Sequence, residues 1–157
     1  MRAIVFLMIS FLLVSGAKAQ DRPDPVIFTN PVFISPRPPK AVKGWSYVEK
    51  FQPGEAALVG EYPGKIIKFQ FKGTAVGIAA ISNSDAGTVE FSIDNEEWQK
   101  LDMYSNNTSV NQLKYFTLGA QLKNRKHILQ LRTTQSKSTD GSGGKCILRY
   151  FYLNDPK

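Results

Sequence analysis

The sequence predicts an all-β protein: an antiparallel β-sandwich of about eight short strands, of jelly-roll type, preceded by a Pro-rich extended arm. Three observations lead there. From Pro63 to Asn95 apolar and polar residues alternate in three successive runs, each closed by turn residues. No stretch of the 157 residues sustains a helical period. Eight of the nine prolines fall between Pro23 and Pro63, so the chain enters its patterned region through a segment unfit for central strands.

The elements follow in chain order. Residues 1–19 read as a signal peptide. Arg2 supplies the positive start, Ala3 to Val14 an apolar run, and Ala17-Lys18-Ala19 a peptidase site with cleavage before Gln20. A retained membrane anchor is the competing reading, but the run is shorter than the roughly 20 residues that span a bilayer. Residues 20–43 form the arm, either a disordered leader or a strip lying along the sandwich. Its triplets Val26-Ile27-Phe28 and Val32-Phe33-Ile34 suit edge pairing.

Residues 44–155 form the sandwich. Trp45 to Phe51 and Glu55 to Val59 flank the Pro53-Gly54 turn. Ile67, Phe69 and Phe71 alternate with Lys68, Gln70 and Lys72; Val76, Ile78 and Ala80 alternate with smaller residues; Val89, Phe91 and Ile93 alternate with Glu90 and Ser92. Beyond the Asp94-Asn95 turn, strands are expected at Trp98–Tyr104, Leu113–Gly119, Lys126–Thr133 and Cys146–Leu153. Two long polar loops, Ser105–Gln112 and Thr133–Lys145, are the natural rim for a ligand.

Composition bounds the chemistry. Without residues 1–19, eighteen basic residues face thirteen acidic ones, a net charge of +5. The cations are dispersed over solvent-facing strand positions, which argues against a nucleic-acid partner and leaves a weak preference for anionic polymers outside the cell. With Cys146 alone, no internal disulfide forms; between apolar strand residues this thiol reads as a core residue.

No catalytic constellation is recognisable. His127, the single histidine, sits on the side of its strand shared by Leu129 and Leu131, with no G-x-S-x-G elbow anywhere. It reads as a structural histidine with a locally bonded ring. Asp85, Glu90, Asp94, Glu96, Glu97 and Asp102 offer carboxylates, but Asp94, Glu96 and Glu97 crowd one hairpin tip, where solvated acids are ordinary. There is no cofactor motif and no Cys/His metal-ligand spacing, and a calcium on Asp85 or Asp140 has no support. Asn106-Asn107-Thr108-Ser109 holds overlapping N-glycosylation sequons.

Aromatic recognition of sugars remains: flat rings for pyranose faces, planar polar groups for hydroxyls. Trp45, Tyr47, Trp98, Tyr104, Tyr115, Tyr150 and Tyr152 are the pool. Trp98 and Tyr104 flank polar turns and are the candidate stacking pair, with Asp85, Asn106 and Asn107 as hydroxyl ligands.

Several pieces also carry a resemblance. Pro63-Gly64, Phe71-Lys72-Gly73-Thr74-Ala75-Val76-Gly77-Ile78, Asp85-Ala86-Gly87, Ser92-Ile93-Asp94, Leu122, Lys126 to Arg132, and Cys146 through Phe151 to Asn154 occur in one order. From Gly44 to Asp155 the chain resembles the β-sandwich accessory domain of bacterial SGNH/GDSL-type hydrolases. The resemblance implies a jelly-roll module associated with carbohydrate-active esterases. It does not bring the esterase, because the Gly-Asp-Ser block and the Asp-x-x-His pair are absent. Asn95 stands where that family has Gly, and Leu113-Lys114 where a Pro-Trp pair is expected. The expectation is an exported, non-catalytic module that binds a polysaccharide or accompanies such an esterase. The alternatives are a protein-docking module using its arm or an edge strand and, third, an SGNH-like esterase using His127.

Overall fold

The computed structural model describes residues 17–51, 54–106, 111–134 and 144–154. Ten strands run through them: β1 (Pro31–Ile34), β2 (Trp45–Phe51), β3 (Glu55–Glu61), β4 (Ile67–Gly73), β5 (Val76–Ser82), β6 (Thr88–Ile93), β7 (Gln99–Asp102), β8 (Gln112–Gly119), β9 (Arg125–Thr133) and β10 (Lys145–Asn154). Every pairing between them is antiparallel. One sheet has the order β2-β3-β10-β5-β8 with β1 also on β10; the other has the order β4-β9-β6-β7. The architecture is the expected antiparallel sandwich, and the arm contributes the additional strand β1.

The period-two pattern builds the core. Ile67 and Phe71 of β4, Leu129 and Leu131 of β9, and Val89 and Phe91 of β6 point inward from the four-stranded sheet. They meet Leu58, Val76, Ile78, Phe116, Leu148 and Phe151 from the six-stranded one. Burying each such side chain contributes about 1.5–3 kcal/mol. Across the gap the Phe69 and Phe151 rings stack 4.1 Å apart and nearly parallel, at 2°.

β5 is buried along its whole length. Its inner face carries Val76, Ile78 and Ala80, and its outer face the small Gly77 and Ala79. The arm supplies the second cover. Gln20 exchanges two backbone hydrogen bonds with Tyr115 at the β8 edge (3.0 and 2.8 Å). The chain then turns at residues 24–28 and seats Phe28, 2% exposed, edge-on against Tyr152 with centroids 4.7 Å apart. It continues into β1, which lies on residues 151–154 of β10. The arm is therefore a strap from β8 to β10 across the outer face of the six-stranded sheet. Pro31 opens β1, a position at which a strand tolerates the missing amide.

β10 changes phase midway. Cys146 and Leu148 face the core, and so do Phe151 and Leu153. The register shifts between Leu148 and Tyr150, so Arg149 is the extra residue of a bulge. Its guanidinium donates to the carbonyls of Glu55 (2.6 Å) and Ala56 (3.3 Å) and lies over the Phe51 ring. The bulge lets β10 serve the core from both of its halves while sending Tyr150 and Tyr152 outward under the arm.

Candidate functional site

The two sheets differ in what covers their outer faces. The strap lies over the six-stranded sheet. The four-stranded sheet turns the alternate residues of β4, β9 and β6 outward, and residues 35–39, which follow β1, meet it at the β4 edge, where they border a depression with Lys68 and Gln70. Lys68, Gln70, Lys72 and Lys126 are exposed there, Ile128 and Arg132 are half-buried, and Gln130 is packed flat with its amide on Asn95 Oδ1.

Trp98 stands immediately before β7 on this open face. Arg132 lies over its ring, with Cζ 4.1 Å from the centroid, and the same guanidinium grips Glu90 through Nε and Nη2 at 2.7 and 2.6 Å. Such a cation–π contact contributes about 0.5–1 kcal/mol at a partly exposed site. The arrangement fixes the indole against the sheet. A ring held this way offers a pre-oriented apolar surface at little further entropic cost.

Tyr104, Asp85 and Asn106 gather elsewhere, at one end of the sandwich. Asn83 organises that end: its amide donates to Asn111 Oδ1 (2.7 Å), its carbonyl accepts from Ser105 N (3.0 Å), and its Oδ1 accepts from Asp85 N (2.9 Å). Tyr104 bridges to Asn83 and its amide donates to Asp102 Oδ1. Asp85 and Asn106 are exposed, and Tyr104 is half-buried. Asn107 lies outside the described residues, as do parts of both long loops and Asp140. β7, four residues at about 3.3 Å each, separates Trp98 from Tyr104. The structure thus groups three of the candidate residues at the loop end and sets Trp98 apart on the sheet face.

The other aromatics divide. Trp45 is a core residue whose Nε1 donates to Lys65 O (2.7 Å), and Tyr152 is wholly buried. Tyr115 and Tyr150 flank Ala79 in register and meet Phe33 of β1 edge-on, at centroid distances of 6.2 and 5.9 Å. Burial and then the Glu55 carboxylate hold both phenols above their ordinary value.

His127 is buried, with both ring nitrogens taken. Nε2 lies 2.7 Å from Lys123 O and, facing a carbonyl, must donate. Nδ1 lies 2.7 Å from Asp94 Oδ2. No nitrogen is left to take a proton from a hydroxyl, which weighs against a His127-dependent esterase. Asp94 is less of a solvated tip than its hairpin suggests. Its Oδ1 accepts from Ile128 N (2.9 Å) and its Oδ2 also meets Arg125 Nη2 (3.2 Å). Burial raises this carboxyl, but the His127 and Ile128 hydrogen bonds and the His127 and Arg125 charges outweigh it, leaving it below its ordinary value. Among the described residues, no cluster of three or more His, Cys, Asp or Glu is placed to hold a metal.

Sequence reasoning passed over Arg132, Lys72 and Lys126 as members of a site. The signal was present: alternation places each on the face opposite Leu129 and Leu131 or Phe71, but strand order alone brings β4 beside β9.

No protein-family model matches the sequence, and no curated protein matches it. Solved structures do match in fold. A two-domain esterase active on acetylated mannans superposes with a TM-score of 0.67 at 14% identity, over 87% of this chain and 39% of that one. A family two carbohydrate esterase from Cellvibrio japonicus gives 0.57 at 16% identity, over 80% and 34%. A Paenibacillus xanthan lyase gives 0.56 at 22% identity, over 85% and 14%. The fold is one found within carbohydrate-active proteins. This chain spans well under half the length of each of these three.

Proposed function

We propose that this chain is an exported, non-catalytic β-sandwich module that binds carbohydrate or accompanies a carbohydrate-active esterase. The observation that carries the reading is the asymmetry of the two outer faces. The arm covers the outer face of the six-stranded sheet over β8, β5 and β10, whereas the outer face of the four-stranded sheet presents Trp98, braced by Arg132, on a surface that also carries exposed Lys and Gln side chains. An aromatic face ringed by planar polar groups is what a pyranose requires. The fold's occurrence inside esterases of acetylated mannans and of carbohydrate esterase family two supports the same class by analogy.

Trp98 is the stacking residue in this reading. Asp85, Tyr104, Asn106 and Asn107 form a second, separate contact zone at the loop end. A glycan array with the full chain, repeated for Trp98→Ala and Tyr104→Ala, tests the assignment. Binding that is lost in the first and retained in the second supports the open face. Binding unchanged in Trp98→Ala removes it. Secreted or periplasmic location follows from residues 1–19, and N-terminal sequencing of exported protein should begin at Gln20.

A protein-docking role is favoured by one specific observation. Among the described residues, three of the five exposed large apolar side chains, Val26, Val32 and Phe33, belong to the arm. Phe33→Asp tests it more cleanly than removal of the arm, which would also strip out Phe28. Retention of a cognate esterase on immobilised protein should fall if the arm is the docking element.

A further inference from the structure

We propose that the open face of the four-stranded sheet selects polysaccharides that carry carboxylates, with Lys68, Lys72 and Lys126 as the cations that read them. The inference rests on the carbohydrate-binding reading above and names its ligand class.

Two of these lysines hold a placement that the fold itself does not reward. Lys72 and Lys126 are direct cross-strand partners on one face of the β4–β9 ladder, and Lys68 lies four residues along β4, opposite Gln130. Like charges directly opposite destabilise a sheet. None of the three lysines is in an ion pair among the described residues; Glu90 of β6 is committed to Arg132, and the face's other strand acid, Asp102, lies on β7 at the far edge from β4, where its Oδ1 accepts from Tyr104 N.

Protection of an edge strand accounts for part of this pattern. β4 is an edge of its sheet, and lysines there discourage pairing with other chains. That explanation stops at Lys126, which sits on β9, an interior strand with β4 on one side and β6 on the other. A polyanion running across the face accounts for all three.

The surface between them has the corresponding chemistry. A depression of about 650 Å³ opens at this end of the face, bordered by Gln70, Lys72, Asn95, Arg125, Lys126 and Ile128. Asp94, the carboxylate at its margin, is spent on His127, the Ile128 amide and Arg125. The depression therefore offers cations for carboxylates, amides for hydroxyls and an Ile side chain for a ring face. β4 carries Lys68 and Lys72 about 13 Å apart, so contact with both requires an extended polymer and not a single sugar.

The test uses polygalacturonate as probe, with three comparisons: the same polymer after reduction of its carboxylates to hydroxymethyl groups, a neutral galactan or mannan, and two non-glycan polyanions, polyglutamate and single-stranded DNA. The proposal expects polygalacturonate to bind the full chain, and the reduced polymer and both non-glycan polyanions to bind at least tenfold more weakly. Lys72→Gln with Lys126→Gln should weaken polygalacturonate binding at least tenfold. The same pair should leave the melting temperature unchanged or raise it, because it relieves like-charge repulsion.

A lowered melting temperature in that double variant would mean that the lysines serve the fold, overturning the proposal. Equal binding of polyglutamate or DNA would reduce the face to general polyanion attraction and overturn it too. Binding to neutral glycans alone, indifferent to the lysine substitutions, would sink this inference and leave the carbohydrate-binding reading standing. Folded protein that binds no glycan, neutral or anionic, would end both.

Discussion

The Asp94 carboxylate clamps the His127 ring, Oδ2 to Nδ1 at 2.7 Å, across the end of the sandwich. Asp94 begins the β6–β7 turn with φ of 54°, and Asn95 follows at 62°, so the turn aims the carboxylate back at β9. Asn tolerates the same left-handed backbone, which makes Asp94→Asn a test of the charge and not of the turn. At pH 7 the variant should be less stable by about 1.5–3 kcal/mol, the usual contribution of hydrogen bonds to a charged group. A carboxyl held below its ordinary value of 3.8 stabilises the fold above that pH and ceases to do so as pH falls through its lower, folded value. Urea unfolding at pH 7 and again at pH 2–3 should show the gap between wild type and variant closing. An equal gap at both pH values would mean that the clamp is not ionic.

Much of the fold was legible because period two is a direct consequence of strand geometry. Each strand segment read from alternation appears, and the core residues of β4, β6 and β9 are those the pattern nominated. What escaped was whatever depends on the pairing of distant segments. The phase change in β10 at Arg149 is invisible locally, since Cys146 to Leu153 reads as one apolar run. The arm's choice between leader and strap was undecidable from Val26-Ile27-Phe28 alone; it turns on Tyr152 and the small Gly77 and Ala79 leaving a seat for Phe28. The candidate site divided for the same reason. Trp98 and Tyr104 are six residues apart in sequence, but a strand carries them to opposite ends of its length, whereas a helix would have brought them close.

Phe28 is the keystone of the strap. It is 2% exposed and packs on Tyr152, so truncation opens a cavity between arm and sheet. Phe28→Ala should lower unfolding free energy by about 3–5 kcal/mol, the range for a buried Phe. Limited proteolysis should then cut within residues 20–30 while the sandwich survives. A variant as stable as wild type would mean that the strap does not cover the sheet in solution.

The seat is equally sensitive from below. A Cβ added at Gly77 would come within 2.3 Å of Tyr152 Cζ and 2.6 Å of the Phe116 carbonyl oxygen. Moving the Tyr152 ring would relieve the first contact, but the second is backbone of the neighbouring strand β8. Gly77→Ala should therefore cost at least the roughly 1–3 kcal/mol typical of overpacking, and it should weaken arm and sheet together. Gly54→Ala, where nothing lies within 4 Å of the added carbon, isolates backbone strain at φ of 120° and is the steric control.

Cys146 supplies a reporter for these changes. Burial pushes its thiol from 9.0 up to about 12, so almost no thiolate exists at pH 8 and the folded protein should resist alkylation. Because this folded value is raised, the neutral thiol's contribution to stability is complete below pH 9.0 and is lost as pH climbs toward 12. Labelling at pH 8 must then proceed through opening of the sandwich, where the population of the open state falls about tenfold for each 1.4 kcal/mol. Phe28→Ala, at about 3 kcal/mol, should raise the iodoacetamide rate roughly a hundredfold if the strap and the core open as one unit. An unchanged rate beside easy cleavage of the arm would instead mean that the strap detaches alone, leaving the core around Cys146 closed.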